Sequence, residues 1–245
     1  MEPALPRPET LDDSSSSATS PAPSIEDPAF RESVVDLLGA LAYAELTGFT
    51  QLVADSEHAP DAGRKGSLCA IAVSEYHHYE MLAARLRELG ADPQEAMQPF
   101  VRSIDAFHER TRPSTWLEGL VKAYVGDGIA QDFYREISAY VDADTREVVR
   151  RSLEDAGQAA FAVAAVREAL AEDDRVGGRL ALWGRRLVGE AISQAQQVAV
   201  ERDGLTHLLV GGVGGPGADL AEVGRMFVRL TDAHTQRMKD LGLNA

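Results

Sequence analysis

The chain has a single cysteine, Cys69, among its 245 residues. An intramolecular disulfide and a thiolate zinc cluster are therefore excluded, and a reducing setting such as the cytoplasm is expected. Aromatic residues amount to only 6%, few for a fold built from strands, where aromatic and β-branched side chains concentrate. Basic residues are outnumbered, 24 Lys and Arg against 39 Asp and Glu, for a net charge of −15. This is the opposite of the basic field that holds nucleic acid or anionic membranes. No uninterrupted apolar run reaches the roughly 20 residues of a transmembrane helix, so no membrane partner is expected. The first residues lack the apolar centre of a signal peptide.

What is present favours helix. Hydrophobic residues make up 44% and charged residues 26%, ordinary for a globular protein, and Ala and Leu are abundant. Residues 1–26 are rich in Pro, Ser and acid and read as a disordered tail, because they cannot bury enough apolar area to offset their ordering entropy. Residues 27–245 read as a single helical domain, with a core bundle over about 28–172 and extra helices over about 176–242.

Asp27-Pro28 starts a helix that runs to about Glu57, with an N-cap acid followed by proline. A second helix spans about Arg64 to Leu89, with Gly90 as its C-cap and Pro93 preventing continuation. The connection over 91–113 holds at most a short helix, Glu95 to His108. A third helix covers Thr115 to Val141; Asp144 caps a fourth that reaches Glu172, with Glu147 as capping-box partner. Val176 to Leu209 forms a fifth, which Gly184 and Gly189 bend, and Asp219 starts a last helix. The loop Gly211 to Gly217 follows no strand and ends on no Lys-Ser/Thr, so it reads as a turn rather than a phosphate loop. Two tight hairpins separated by one long link make the connectivity of ferritin-like four-helix bundles, so the fold class is all-α.

Chemistry enters at Glu75-Tyr-His-His78. Three residues apart on a helix, the two side chains share a face, and that face also carries Leu68, Ile71 and Leu82. A carboxylate on an apolar stripe is costly unless something compensates it. A metal ion would, and Glu-x-x-His is the spacing helix bundles use for di-iron and di-manganese sites. A hydrogen-bonded core pair is the plainer reading of the motif alone. Glu45 lies on the apolar stripe of the first helix between Leu41 and Phe49. The third helix offers Asp127 and Asp132, either of which could point inward, and Gly126 and Gly128 mark a local irregularity there. The fourth repeats the i, i+3 geometry with Asp155 and Gln158. Glu45, Glu75, Asp132 and Asp155 would bring four negative charges into a dry interior, which two divalent ions would balance.

Other polar features have quieter readings. Glu190, Gln194, Gln197 and Glu201 form a stripe on the fifth helix that reads as a solvated face, with Glu190 as an alternative extra ligand. His77 and His234 read as lying outside the bundle interior, and His108 and His207 as surface cations near helix ends. Tyr76, Tyr79 and Tyr124 are candidates for proton transfer. Arg150 and Arg151, with Arg175, Arg179, Arg185 and Arg186, are the notable basic clusters.

With these helices in hand the chain resembles a known family. Glu75-Tyr-His-His78-Tyr-Glu80, preceded by Glu45, is similar to the ferritin-like tRNA hydroxylases that act on 2-methylthio-isopentenyladenosine. Trp116 to Asp127, Asp132 to Glu136, Gly178 to Trp183, Gly189 to Gln196 and Glu222 to Phe227 resemble a bacterial branch of that group. The resemblance implies an O₂-dependent hydroxylase with two iron ions, manganese being the alternative metal, and tRNA as one substrate to consider. It implies ligands at Glu45, Glu75, His78, Asp132 and Asp155. Where the family has its last histidine this chain has Gln158. An amide oxygen binds iron less well than imidazole, so the second metal position is weakened. A scaffold with a degenerate metal site is the competing expectation, iron storage the third; a monomer or homodimer is expected.

Overall fold

The structure, a computed structural model, describes residues 24–155, 157–201, 204, 205, 208 and 220–244. Most of the N-terminal tail, His207 and the loop over 211–217 lie outside the described residues. Among the described residues every regular element is helical.

Helix α1 (Pro28–Asp55) starts where Asp27 accepts from the Ala29 and Phe30 N–H groups. Helix α2 (Ala62–Glu88) starts where Asp61 accepts from the Arg64 N–H. Gly90, at φ +75°, closes it in the left-handed region that glycine tolerates best. The link to the second hairpin is more ordered than its prolines implied. Pro93 begins helix α3 (Pro93–Arg110), because Asp92 accepts from the Gln94 and Glu95 N–H groups and repeats the Asp27-Pro28 arrangement.

The third rod is not uniform. Helix α4 (Trp116–Val121) passes into a π turn, Lys122–Asp127, and resumes as α5 (Gly128–Ile137). The fourth rod is broken. Asp142, not Asp144, caps α6 (Ala143–Ser152), while Glu147 pairs with Arg150. The chain turns at Gly157, φ +96°, before α7 (Gln158–Glu172). Helices α8 (Arg175–Glu201) and α9 (Leu220–Asp240) complete the described elements. Gly184 permits close packing of α8 on α9, since a Cβ there would lie 2.6 Å from the Met238 sulfur.

The interior consists of two apolar clusters. One gathers Val34, Leu38, Leu41, Leu82, Leu86, Phe100, Ile137 and Val149. The other gathers Leu52, Leu68, Ile71, Leu120, Val125, Val166, Leu187 and Met238. The segment Pro28–His58 is, by length and composition, apolar enough to cross a membrane, which a search for uninterrupted apolar runs does not register. Half of that apolar stretch is buried inside the fold, as expected of a core helix.

Helix α3 approaches α1 closely at Gly39, where an added Cβ would lie 2.2 Å from the Ala96 carbonyl oxygen. Backbone cannot yield as a side chain can, so Gly39→Ala is expected to destabilise the protein by about 1–3 kcal/mol despite its better helix propensity. Gly189→Ala, which meets nothing within 4 Å, is expected to stabilise it by about 0.5–1 kcal/mol. Urea midpoints of the two variants check this, and equal signs would refute the close approach.

Candidate metal centre

The two clusters leave a gap at the same height on each rod. On α1 the fully buried apolar residues stop at Ala42 and resume at Leu52, and Glu45 lies between. On α2 they stop at Ala72 and resume at Leu82, around Glu75 and His78. On the third rod the gap between Val125 and Ile137 holds Asp127 and Asp132. On the fourth, between Leu153 and Ala162, it holds Asp155 and Gln158. A polar belt thus crosses the bundle between two dry ends.

Three of the expected ligands meet in this belt. One donor atom each of Glu45, Glu75 and His78 lie within 4.8 Å of one another. Glu45 and His78 are 7% and 8% exposed, and His78 Nδ1 is 3.5 Å from Glu45 Oε2. That contact is not an ion pair, because burial holds the imidazole below its ordinary pKa against the pull of Glu75. Neutral imidazole is the form that binds metal. Burial raises Glu45 to about 7 and Glu75 to about 9, and the hydrogen bond the two carboxyls share adds to the rise at Glu75. Glu45 Oε2 is buried with no hydrogen-bond partner. A carboxylate pair beside a neutral imidazole, with one oxygen unspent, is a donor set that fits a divalent cation.

On the third rod it is Asp127, not Asp132, whose charge acts on Glu45 and Glu75, outside the close group of three. The π turn carries one more residue per turn than an α-helix and so changes which residues after it face the centre. Asp127 ends that turn and is half-buried, and desolvation and then the charge of Glu75 raise it to about 7. Asp132 instead pairs with Arg135 and Arg237, so its expected role as a ligand is corrected. Asp155 is corrected too. It is exposed, and its carboxylate accepts from the Gly157 and Ala159 N–H groups, capping α7 across the break. Gln158 remains in the belt, 9% exposed. Its amide nitrogen donates to Ala123 O at 3.1 Å and to Asp127 Oδ2 at 3.2 Å. Both partners are acceptors, so the amide orientation is set and only its carbonyl oxygen is left for a cation.

Residues 28–212 match the family model described as ferritin-like domain, actinomycetes. The chain belongs to this ferritin-like family. No curated protein matches it.

Around the ferritin-like centre, several readings of individual residues change. Tyr134 is half-buried, and desolvation and the charge of Glu45 raise its hydroxyl. Its sharing of a helix face with Asp127 was the available signal. Tyr124 donates to Asp240, while Tyr76 stacks against Phe49 and Tyr79. Lys122, in the π turn, is 4% exposed and sits over the Phe107 ring. Burial lowers its pKa, opposed by Asp127 and Asp55.

His108 is not a surface cation, and His234, on α9, is buried; burial lowers both, His108 to about 3. His77 is exposed, and Glu190 pairs with Arg110 instead of reaching the centre. Much of the basic clusters is spent within the protein. Arg150 pairs with Glu147 and Glu154, Arg179 with Glu118, and Arg185 and Arg186 donate to backbone carbonyls.

Proposed function

We propose that the ferritin-like chain is a metal-dependent, O₂-using oxidoreductase of the hydroxylase type, working in the cytoplasm as a monomer or homodimer. The observation that carries the reading is the meeting of Glu45, Glu75 and His78 around a buried carboxylate oxygen that has no partner. These three would hold the first cation, iron by preference and manganese as competitor. Asp127, which feels the charge of Glu75, and the oxygen of its partner Gln158 would hold a second, weaker one. When bound, ferrous ions supply O₂ activation and the oxidation of an unactivated C–H bond.

The protein's own part is preparation. Burial keeps His78 neutral and ready to ligate. Glu45 and Glu75 hold protons that they release when a cation takes their place. Tyr134 keeps its proton beside Glu45. The two apolar clusters exclude water above and below the belt. A tRNA substrate is disfavoured by the net charge of −15 and by the internal use of the arginines.

A second reading rests on Gln158 in place of a histidine and on Asp155 serving as a helix cap. In it the chain is a scaffold with one metal or none. Metal analysis after anaerobic ferrous reconstitution separates the two. About two irons per chain with ferrous-dependent O₂ uptake support the enzyme; below about half an ion per chain supports the scaffold. Gln158→His is expected to tighten iron at the weaker position about tenfold, since imidazole replaces an amide oxygen. Unchanged iron affinity in a folded variant would remove Gln158 from the centre.

A further inference from the structure

A cavity of about 190 Å³ lies beside the polar belt, between α3, α5, α8 and α9. Ala44, next to Glu45 in the chain, lines it together with Asp127 and Tyr134, so it adjoins the candidate metal centre. At its other side Ile192 and Phe227 line it and are 38% and 40% exposed, which gives it a mouth to the surface between α8 and α9. Most of the wall is apolar.

Besides Asp127, Tyr134 and Thr231, three side chains from three helices break that apolar lining: His108 on α3, Gln194 on α8 and His234 on α9. Each keeps a buried nitrogen with no hydrogen-bond partner in the protein, Nδ1 of both histidines and Nε2 of Gln194. Gln194 and His234 are each 7% exposed. The Gln194 oxygen already accepts from Arg110, so its amide N–H is what the protein leaves unspent. Buried polar groups are nearly always paired, and three unpaired ones around one cavity call for a ligand that pairs them. Both imidazoles are neutral, held so by burial and by the nearby charges of Lys122 and Arg237. Neutral donors in an apolar wall suit an uncharged oxygen, because a carboxylate would lose its hydration without a full counter-charge. A dry cavity of about 150 Å³ holds benzene, so this one takes about eight non-hydrogen atoms.

We propose that the cavity is a binding chamber for a small molecule with an apolar body and an uncharged hydroxyl or carbonyl head, recognised by His108, Gln194 and His234. Its role as the substrate chamber rests on the metal reading above; its role as a binding site does not.

The test is a titration of the full, metal-free chain with benzyl alcohol, toluene and benzoate, followed by calorimetry and ligand NMR. Benzyl alcohol is expected to bind at one saturable site, about tenfold tighter than toluene or benzoate. Gln194→Leu and His234→Phe are expected to reduce benzyl alcohol to the level of toluene. Ala191→Phe, which fills the cavity, is expected to abolish both while the fold is kept. Equal affinities for benzyl alcohol and toluene, benzoate as the tightest ligand, or no saturable binding overturns the proposal. A parallel sample loaded with Mn²⁺ is expected to enhance the proton relaxation of bound benzyl alcohol. Binding without enhancement in a Mn²⁺-loaded protein overturns the substrate role. Failure of the protein to take up Mn²⁺ overturns the metal reading, while the metal-free titration still decides the chamber.

Discussion

A divalent cation is expected to raise the thermal midpoint of the metal-free protein strongly at pH 8 and little at pH 5.5. The reason is that protons and cation compete for the same carboxyls. Glu75 ionises near 4.5 when unfolded and at about 9 in the folded, metal-free protein, and Glu45 and Asp127 are raised to about 7. For an acid raised in this way, stability is fully present below its unfolded pKa and is lost as pH rises through its folded pKa. The metal-free protein should therefore weaken steadily between about pH 3.8 and 9, over the window that these three acids span. A cation binds the ionised belt and restores what deprotonation removes. At a thousandfold excess over its dissociation constant it contributes about 4 kcal/mol, or about 8–16 °C for a chain of this size. At pH 5.5 it must first displace protons, and the rise should be a small fraction of that. Chelation with EDTA should reverse the effect. Scanning calorimetry with Mn²⁺ or Zn²⁺ checks it, and equal rises at the two pH values would show that the cation binds elsewhere.

Replacing Glu75 by leucine should make the metal-free protein more stable. Ile71 and Leu82 flank Glu75 on the same face of α2 and are both buried, so a leucine there joins the two apolar clusters into one. At pH 8 the variant loses a carboxyl that burial penalises in its charged form. Removing a buried charge in favour of a packed apolar side chain is worth about 1–4 kcal/mol, or about 2–16 °C. The gain should shrink toward pH 5, where the native carboxyl is protonated, and the cation-induced rise should vanish. A lower midpoint at pH 8 in the metal-free state would mean that Glu75 carries a structural hydrogen-bond role that outweighs its desolvation. Glu45 alone could not then explain the cost of the belt.

The helical class was legible from residue types alone. The acid-proline pair at Asp27-Pro28 and glycine at Gly90 encode a start and a stop through contacts a few residues apart, whereas Asp92-Pro93, read as a stop, begins α3. The pairing of Glu75 with His78, and of both with Glu45, was legible for the same reason. Regular helices of 28 and 27 residues keep their register, so a stripe read from spacing stays a stripe in space. The other two rods defeated the same method. A π turn at Lys122–Asp127 moved the inward acid from Asp132 to Asp127, and the break before Gly157 turned Asp155 into a cap.

The sequence by itself determined an acidic, all-helical chain and the residues of its regular hairpin that carry a Glu-x-x-His pair. The tertiary structure alone decided the remaining members of the belt. Whether a helix takes one extra residue in a turn depends on the neighbours it must pack against, here Phe107 of α3 beside Gly126. The cavity was decided in the same way. His108, Gln194 and His234 come from helices that are neighbours only after folding, and no local pattern records a space enclosed by residues as far apart as Ala40 and His234.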